Sequence, residues 1–224
     1  NTFMGTPTIR CTYTDGCYNE VQMSMLVTVD NNYSMEFDGV SHVRIGKELN
    51  SVFQDAFSYS AWVKFNSVNA NYQSFLSAGF PFQSYIFNGT VKMWISSSNS
   101  TSTESIPASS TLTANTWYHV AFTRSGNGVG NTNKIYINGQ LNVTDISSTT
   151  VALSNANLTI GSIESSSGSA NYYFNGNIDE VSLFNRELTA AQIKLIYDAN
   201  STNKAIKLSS LPGGAPVAWY RMGD

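Results

Sequence analysis

The sequence predicts an all-β fold: an antiparallel β-sandwich of jelly-roll type, with one short helix near residues 189–200. Three observations predict it. Short runs alternate apolar and polar residues with a period of two, the signature of strands buried on one face. Asp-Gly or Asn-Gly pairs lie between such runs at residues 38–39, 88–89 and 138–139. A type I′ turn needs positive φ at both central residues, and these pairs adopt it readily. Many short strands at this spacing belong to a sandwich rather than to a helix-crossed sheet.

The elements follow in order. Residues 34–45 read as two strands around Asp38 and Gly39. Residues 58–65 place Tyr59, Ala61, Val63 and Phe65 on one face and Ser60, Trp62 and Lys64 on the other. Residues 84–95 read as a hairpin around Asn88-Gly89, and residues 134–143 as another around Asn138-Gly139. A mostly apolar strand spans residues 117–124, and further strands span 158–163 and 177–184. Residues 66–73, 96–110, 125–133 and 164–171 are polar and read as loops. Thr189 and Gln192 form a capping box, flanked by a staple of Leu188 and Ile193. Ile193, Ile196 and Tyr197 then give the helix one apolar stripe, which caps one edge or end of the sandwich. Near the end, residues 217–220 read as a strand beside the N-terminal strand. Residues 1–30 fit the pattern less well. They are set apart as an N-terminal extension or assembly arm, before one sandwich domain at 31–224.

Composition narrows the function. Charged residues make up 12% of the 224, against about a quarter in average soluble proteins. Ser, Thr and Asn supply the polarity instead. Low charge and 12% aromatics argue against global disorder. A net charge of -3 with 12 Lys and Arg argues against a nucleic-acid binder. No apolar run approaches the roughly 18 residues of a membrane span. No secretory signal is visible, so the chain is expected to be mature, trimmed or the ordered part of something longer. Cys11 and Cys17 are the two cysteines, and they read equally as a small disulfide loop or as two free thiols. The triplets beginning at Asn88, Asn142 and Asn200 match glycosylation sequons, which chance also produces in a chain this rich in Asn, Ser and Thr.

Catalytic motifs are weak. His42 and His119 are the two histidines, and neither belongs to a zinc or nucleophile motif. His119 lies within a strand and reads as a packed residue. Gly126, Gly128 and Gly130 precede no helix and read as a hairpin tip. Retaining glycosidases need two carboxylates about 5 Å apart, which on a strand means positions i and i+2. Asp179 and Glu180 are adjacent, so regular alternation sends them to opposite faces. Calcium is the other use of these carboxylates. Asp38 and Asp179 share one ion if their strands are neighbours, because calcium takes carboxylate and carbonyl oxygens. In three strands an aromatic opposes the aliphatic set: Trp62, Trp94 and Tyr136. If the aliphatic sets are buried, these three line the other face as a sugar-stacking platform, or loops fold over them as a second small core.

The ordered motifs resemble a family. They are residues 34–39 (Ser-Met-Glu-Phe-Asp-Gly), 61–64 (Ala-Trp-Val-Lys), 116–122 (Thr-Trp-Tyr-His-Val-Ala-Phe), 135–139 (Ile-Tyr-Ile-Asn-Gly) and 174–190, with Phe-Asn-Gly-Asn-Ile-Asp-Glu-Val at its start. Together they resemble the laminin-G-like, concanavalin A-like lectin/glucanase jelly roll over about residues 33 to 200. The resemblance implies two stacked antiparallel sheets, and binding more often than catalysis. It also implies calcium at Asp38 and Asp179, although Ser41-His42 stands where such sequences often carry a further acidic residue. Residues 217–224 resemble tail segments of such modules in phage and bacterial surface proteins, where the chain continues.

Three functional readings follow. The first is a non-catalytic surface module that recognises a glycan or protein partner on a virion or extracellular assembly. The second is a purely structural, self-assembling decoration or filament subunit. The third is a polysaccharide-active glycoside hydrolase.

Overall fold

The computed structural model describes residues 34–68, 71–97, 103–201 and 208–222. The proposed extension at 1–30, its Cys11–Cys17 pair and the final Asp224 lie outside the described residues.

Two antiparallel sheets form a sandwich. The front sheet runs in the order β1 (Met35–Asp38), β14 (Asn175–Phe184), β3 (Phe57–Phe65), β8 (Tyr118–Arg124), β9 (Thr132–Ile137) and β10 (Gln140–Ile146). A short β15 (Ala218–Tyr220) also pairs with β14. It lies end to end with β1, because β3 occupies the other flank of β14. The back sheet runs β2 (Val43–Gly46), β11 (Leu158–Ile160), β4 (Gln73–Ser77), β5 (Phe82–Phe87), β6 (Thr90–Ser96) and β7 (Thr103–Thr111). A two-stranded ribbon of β12 (Ile163–Glu164) and β13 (Ala170–Asn171) completes the β structure. Helix α1 spans Ala190–Ser201. Among the described residues, no helix is long and apolar enough to cross a membrane.

The period-two pattern explains the core. Tyr59, Ala61, Val63 and Phe65 of β3 are buried in it, facing inward with Val120 and Phe122 of β8. Phe82 and Ile86 of β5 and Val91, Met93 and Ile95 of β6 come from the back sheet. Phe53, Phe57 and Phe82 form a ring triad with centroids 4.5–5.1 Å apart. Each fully buried Val, Ile, Met or Phe among these contributes roughly 1.5–3 kcal/mol through removal of apolar surface from water.

A second, smaller core lies on the outer face of the front sheet. Ile193 and Ile196 of α1 pack there on Ala121, Tyr136 and Phe184. The capping box is formed as expected. Thr189 N donates to Gln192 Oε1 at 2.8 Å, and Gln192 N donates to Thr189 Oγ1 at 3.3 Å.

Three expectations are corrected. Residues 34–45 are not a hairpin, because β1 and β2 belong to different sheets. At that turn Gly39 takes positive φ (87°) and Asp38 does not, so the chain crosses between sheets. At the two true hairpins both residues do: Asn88 and Gly89 between β5 and β6, and Asn138 and Gly139 between β9 and β10. Residues 103–111 are a strand rather than a loop. β7 is an edge strand that buries only Ile106 and Ala108, and it tolerates Pro107 for that reason. The loop at 66–73 runs into a strand, β4, that the alternation did not single out.

Candidate functional site

The turn at Gly39 and the segments flanking β4 and β14 converge at one end of the sandwich. They border an open pocket of about 310 Å³ lined by Gly39, Asn71, Tyr72, Tyr172 and Tyr173. The backbone holds this corner tightly. Gly39 N donates to Phe174 O at 3.0 Å, and Ser74 N to Tyr172 O at 2.9 Å. Gln73, next to Tyr72, is buried, with Nε2 on Ser67 O at 3.1 Å and Oε1 accepting from Asn175 N at 3.1 Å. Asn66 Nδ2 donates to Asn175 Oδ1 at 2.7 Å. Tyr172 sits at φ 54°, a left-handed conformation that costs a bulky residue free energy and that the surrounding hydrogen bonds hold in place.

Aromatic packing orders the walls. Tyr72 stacks on Phe87 with centroids 4.5 Å apart, and its ring lies 5.3 Å from Tyr85 and 5.1 Å from Tyr172. Tyr85 is buried, whereas Tyr72 and Tyr172 are 40% and 44% exposed. Tyr72 therefore rests on Tyr85 and Phe87, and Tyr172 packs against Tyr72. On the far wall, the Tyr173 ring lies 5.9 Å from His42. His42 Nε2 is 3.7 Å from the buried Glu164 carboxylate, which also accepts from Arg44 Nε at 2.7 Å and from Asn157 Nδ2. The lining itself is glycine, asparagine and tyrosine. Such a surface stacks on C–H faces and exchanges neutral hydrogen bonds.

The sequence-based site residues fall elsewhere and are not brought together. Tyr136 is buried beneath α1. Trp62 stacks on Tyr197 of the helix, centroids 5.6 Å apart, and tilts against His119 at 5.5 Å. Trp94 lies on the outer face of the other sheet, opposite Gln83 and Ser105. The expected common platform of Trp62, Trp94 and Tyr136 is thus corrected: parity places an aromatic outside its sheet without saying which sheet. His119 is fully buried, and burial drives its pKa down to about 3, so it is neutral packing.

The carboxylates need the same correction. Asp38 pairs with Asn175, and Asp179 lies four positions further along β14. At roughly 3.3 Å per residue that is about 13 Å. Calcium binds its oxygens at roughly 2.3–2.6 Å, so the two cannot ligate one ion. Asp38 Oδ1 accepts from Val40 N at 3.0 Å, from Ser41 N at 2.8 Å and from the Ser41 hydroxyl. The Ser41 hydroxyl and these N–H groups hold its carboxyl below the usual aspartate value. Asp38 and Asp179 do not fit a shared calcium. Chelation with EDTA is expected to leave the melting temperature within about 1 °C, where loss of a bound structural ion lowers it by several degrees. A differential scanning fluorimetry pair with and without added calcium checks this.

Asp179 and Glu180 also depart from simple alternation. Between Trp62 and Ser60 of β3, β14 carries one extra residue, and Glu180 takes φ 51°. The bulge keeps both carboxylates on the outer side. Glu180 Oε2 accepts from Trp219 Nε1 at 2.6 Å, and Arg221 Nε lies 3.5 Å from Oε1. Glu180 thereby fastens β15, a role that adjacency in sequence did not reveal. The tyrosine pocket was missed for a related reason. Tyr72 and Tyr172 sit in segments read as polar loops or their margins, where periodicity carries no signal.

Comparison with known proteins now has a geometry to meet. Residues 37–194 match the family model of the concanavalin A-like lectin/glucanases superfamily. The chain belongs to that superfamily. The human adhesion G-protein coupled receptor D1 is 37% identical over 100 residues, 43% of this chain. The chain spans 11% of that receptor's length. The CBM40 domain of a Ruminococcus gnavus sialidase, solved with α2,3-sialyllactose, is 19% identical with a TM-score of 0.60. That match covers 73% of this chain and 96% of the other. Domain 4 of an extracellular arabinanase from Geobacillus stearothermophilus, solved with arabinotriose, is 20% identical at TM-score 0.56, covering 73% and 76%. A heptameric pentraxin from Limulus polyphemus is 14% identical at TM-score 0.56, covering 88% and 95%. At these identities the structures establish a shared fold.

Proposed function

We propose that this chain is a non-catalytic, surface-exposed binding module that recognises a neutral glycan through the tyrosine pocket. The observation that carries the reading is the exposed pair Tyr72 and Tyr172, with ring centroids 5.1 Å apart and Tyr72 resting on Phe87 and the buried Tyr85. Sugar rings present C–H faces to such walls, and amides read their hydroxyls. Among the described residues, the pocket lining is glycine, asparagine and tyrosine, a set suited to binding rather than hydrolysis. Membership of a lectin and glucanase superfamily supports a carbohydrate ligand. The low charge and the Ser/Thr/Asn-rich sequence support a location outside the cell or on a virion surface, within a larger assembly. A protein partner docking at the same end is the competing outcome.

Glycan-array screening followed by calorimetry tests the reading. Tyr72→Ala and Tyr172→Ala are each expected to weaken binding about thirtyfold, the equivalent of about 2 kcal/mol for an aromatic anchor. Leu141→Ala is expected to leave affinity within about twofold, because Leu141 is an exposed residue of β10, at the opposite edge of the front sheet from β1 and β14. Release of reducing ends from a bound polysaccharide overturns the non-catalytic assignment. Unchanged affinity in both tyrosine variants overturns the site.

A further inference from the structure

The sandwich has one side where its two terminal strands meet. There β7, the last strand of the back sheet, contacts β10, the last strand of the front sheet. They belong to different sheets and share no strand pairing, so side chains hold this seam. Asn142 of β10 makes one crossing. Its Oδ1 accepts from Ser109 N at 2.7 Å, and its Nδ2 donates to Ser110 Oγ at 2.9 Å. Glu104 of β7 and Asp145 of β10 make the other, with their carboxyl groups within hydrogen-bonding reach.

Two carboxylates in contact repel each other, and hydrogen bonds from neighbours offset only part of that. Glu104 Oε2 accepts from Ser147 Oγ at 3.1 Å and from Ser148 N at 3.3 Å. Asp145 Oδ2 is buried and receives no hydrogen bond from the described protein groups. A proton on Glu104 supplies the missing donor. It converts a repulsive contact into a short O–H···O bond across the seam.

We propose that Glu104 and Asp145 form a proton-operated latch, which closes the β7–β10 seam in acid and loosens it above neutral pH. The remaining groups around Glu104 permit this. From β8 comes the Arg124 guanidinium, which bonds the same Ser147 hydroxyl from the other side at 2.9 Å. From β6, Ile95 pairs opposite Glu104 and is apolar. The 147–149 segment contributes hydroxyls and backbone, and β9 contributes the neutral Asn133. Among the described residues, Asp145 is thus the acidic neighbour and Arg124 the basic one; the Arg124 charge favours ionised Glu104, and burial together with Asp145 outweighs it.

Burial first, and the contact with Asp145 second, push the Glu104 pKa up to about 7 from an ordinary 4.5. The sign follows directly. The folded state holds this proton more tightly than the unfolded chain does. The latch contribution is therefore complete below about pH 4.5 and is lost as pH rises to about 7. Carboxylates with lowered pKa, such as Asp38, act in the opposite direction, so the latch must be read against a variant.

Hydrogen exchange by mass spectrometry, at pH 5 and pH 8 and corrected for intrinsic exchange rates, tests the proposal. In the wild-type chain, peptides covering β7 and β10 are expected to lose roughly tenfold in protection at pH 8, while the β3–β8 core changes little. Glu104→Gln, whose amide donates to Asp145 at any pH, is expected to keep its seam protection at both values. Asp145→Asn provides a second variant with the same expectation. Equal protection of the wild-type seam at both pH values overturns the latch. So does a wild-type loss that both variants reproduce, or one spread evenly over the molecule.

Discussion

Gly176→Ala is expected to destabilise the fold by at least about 3 kcal/mol, because the position combines forbidden φ with a backbone collision. Gly176 sits at φ 146°, between Phe37 of β1 and Phe65 of β3. A Cβ there would stand 2.0 Å from the Lys64 carbonyl oxygen and 2.8 Å from Phe65 Cα. Neither is the free end of a flexible side chain. Relief requires β14 and β3 to part, and both lie inside the front sheet. The neighbouring Asn175 meets Asp38 and holds Asn66 and Gln73, and Gln73 adjoins Tyr72 of the pocket, so the damage reaches the site as well. In a domain of this size, about 3 kcal/mol lowers the melting temperature by roughly 6–12 °C. Gly168→Ala is the matched control. It also has positive φ, 87°, but its Cβ would meet nothing within 4 Å. Its expected cost is about 1 kcal/mol, the backbone penalty alone. Thermal melts of the two variants side by side separate collision from conformation. Equal, small shifts would show that β14 relaxes around the added methyl.

The contrast between Gly39 and Gly89 shows how far the sequence could be read. Both follow a turn-forming Asp or Asn and both take positive φ, yet one turn changes sheets and the other closes a hairpin. Turn chemistry is local, and it was legible. Which sheet the next strand joins is decided by long-range pairing, such as β1 with β14 across more than a hundred residues, and no local signal carries that. The inward sets of β3 and β6 were legible because their alternating apolar residues follow period two. β7 was not, because an edge strand needs only Ile106 and Ala108 on the core. Helix α1 was legible to its capping box, since Thr189, Gln192, Leu188 and Ile193 act within one turn. The site was the least legible part. Tyr72 is a polar-loop residue in sequence, Tyr172 and Tyr173 lie just past another loop, and they become neighbours only after the ends of β4 and β14 meet. The parity that drew attention to Trp62 and Tyr136 was real, but the helix covers both.

Arg124→Met is expected to cost about 3–5 kcal/mol, because it removes a buried charge whose partners stay buried. Arg124 is fully buried at the end of β8. Its Nη1 donates to Asn133 Oδ1 at 2.7 Å and to Ser147 Oγ at 2.9 Å, and its Nη2 donates to Thr149 O at 2.7 Å. One guanidinium thus ties β9 and the segment after β10 to β8. Burial lowers its pKa, but an arginine stays charged at any ordinary pH. Methionine fills much of the volume and donates nothing, so the Asn133 oxygen and the Thr149 carbonyl lose their partner. Arg124→Lys is expected to cost less, about 1–3 kcal/mol, since an ammonium restores charge without the planar fork. Urea denaturation measures both. The same network predicts coupling to the seam, because Arg124 and Glu104 share the Ser147 hydroxyl. In a double-mutant cycle, Arg124→Met and Glu104→Gln are therefore expected to depart from additivity by at least about 0.5 kcal/mol. Strict additivity would mean that Ser147 transmits nothing between β8 and β7, and that the buried guanidinium and the carboxyl pair act as separate units.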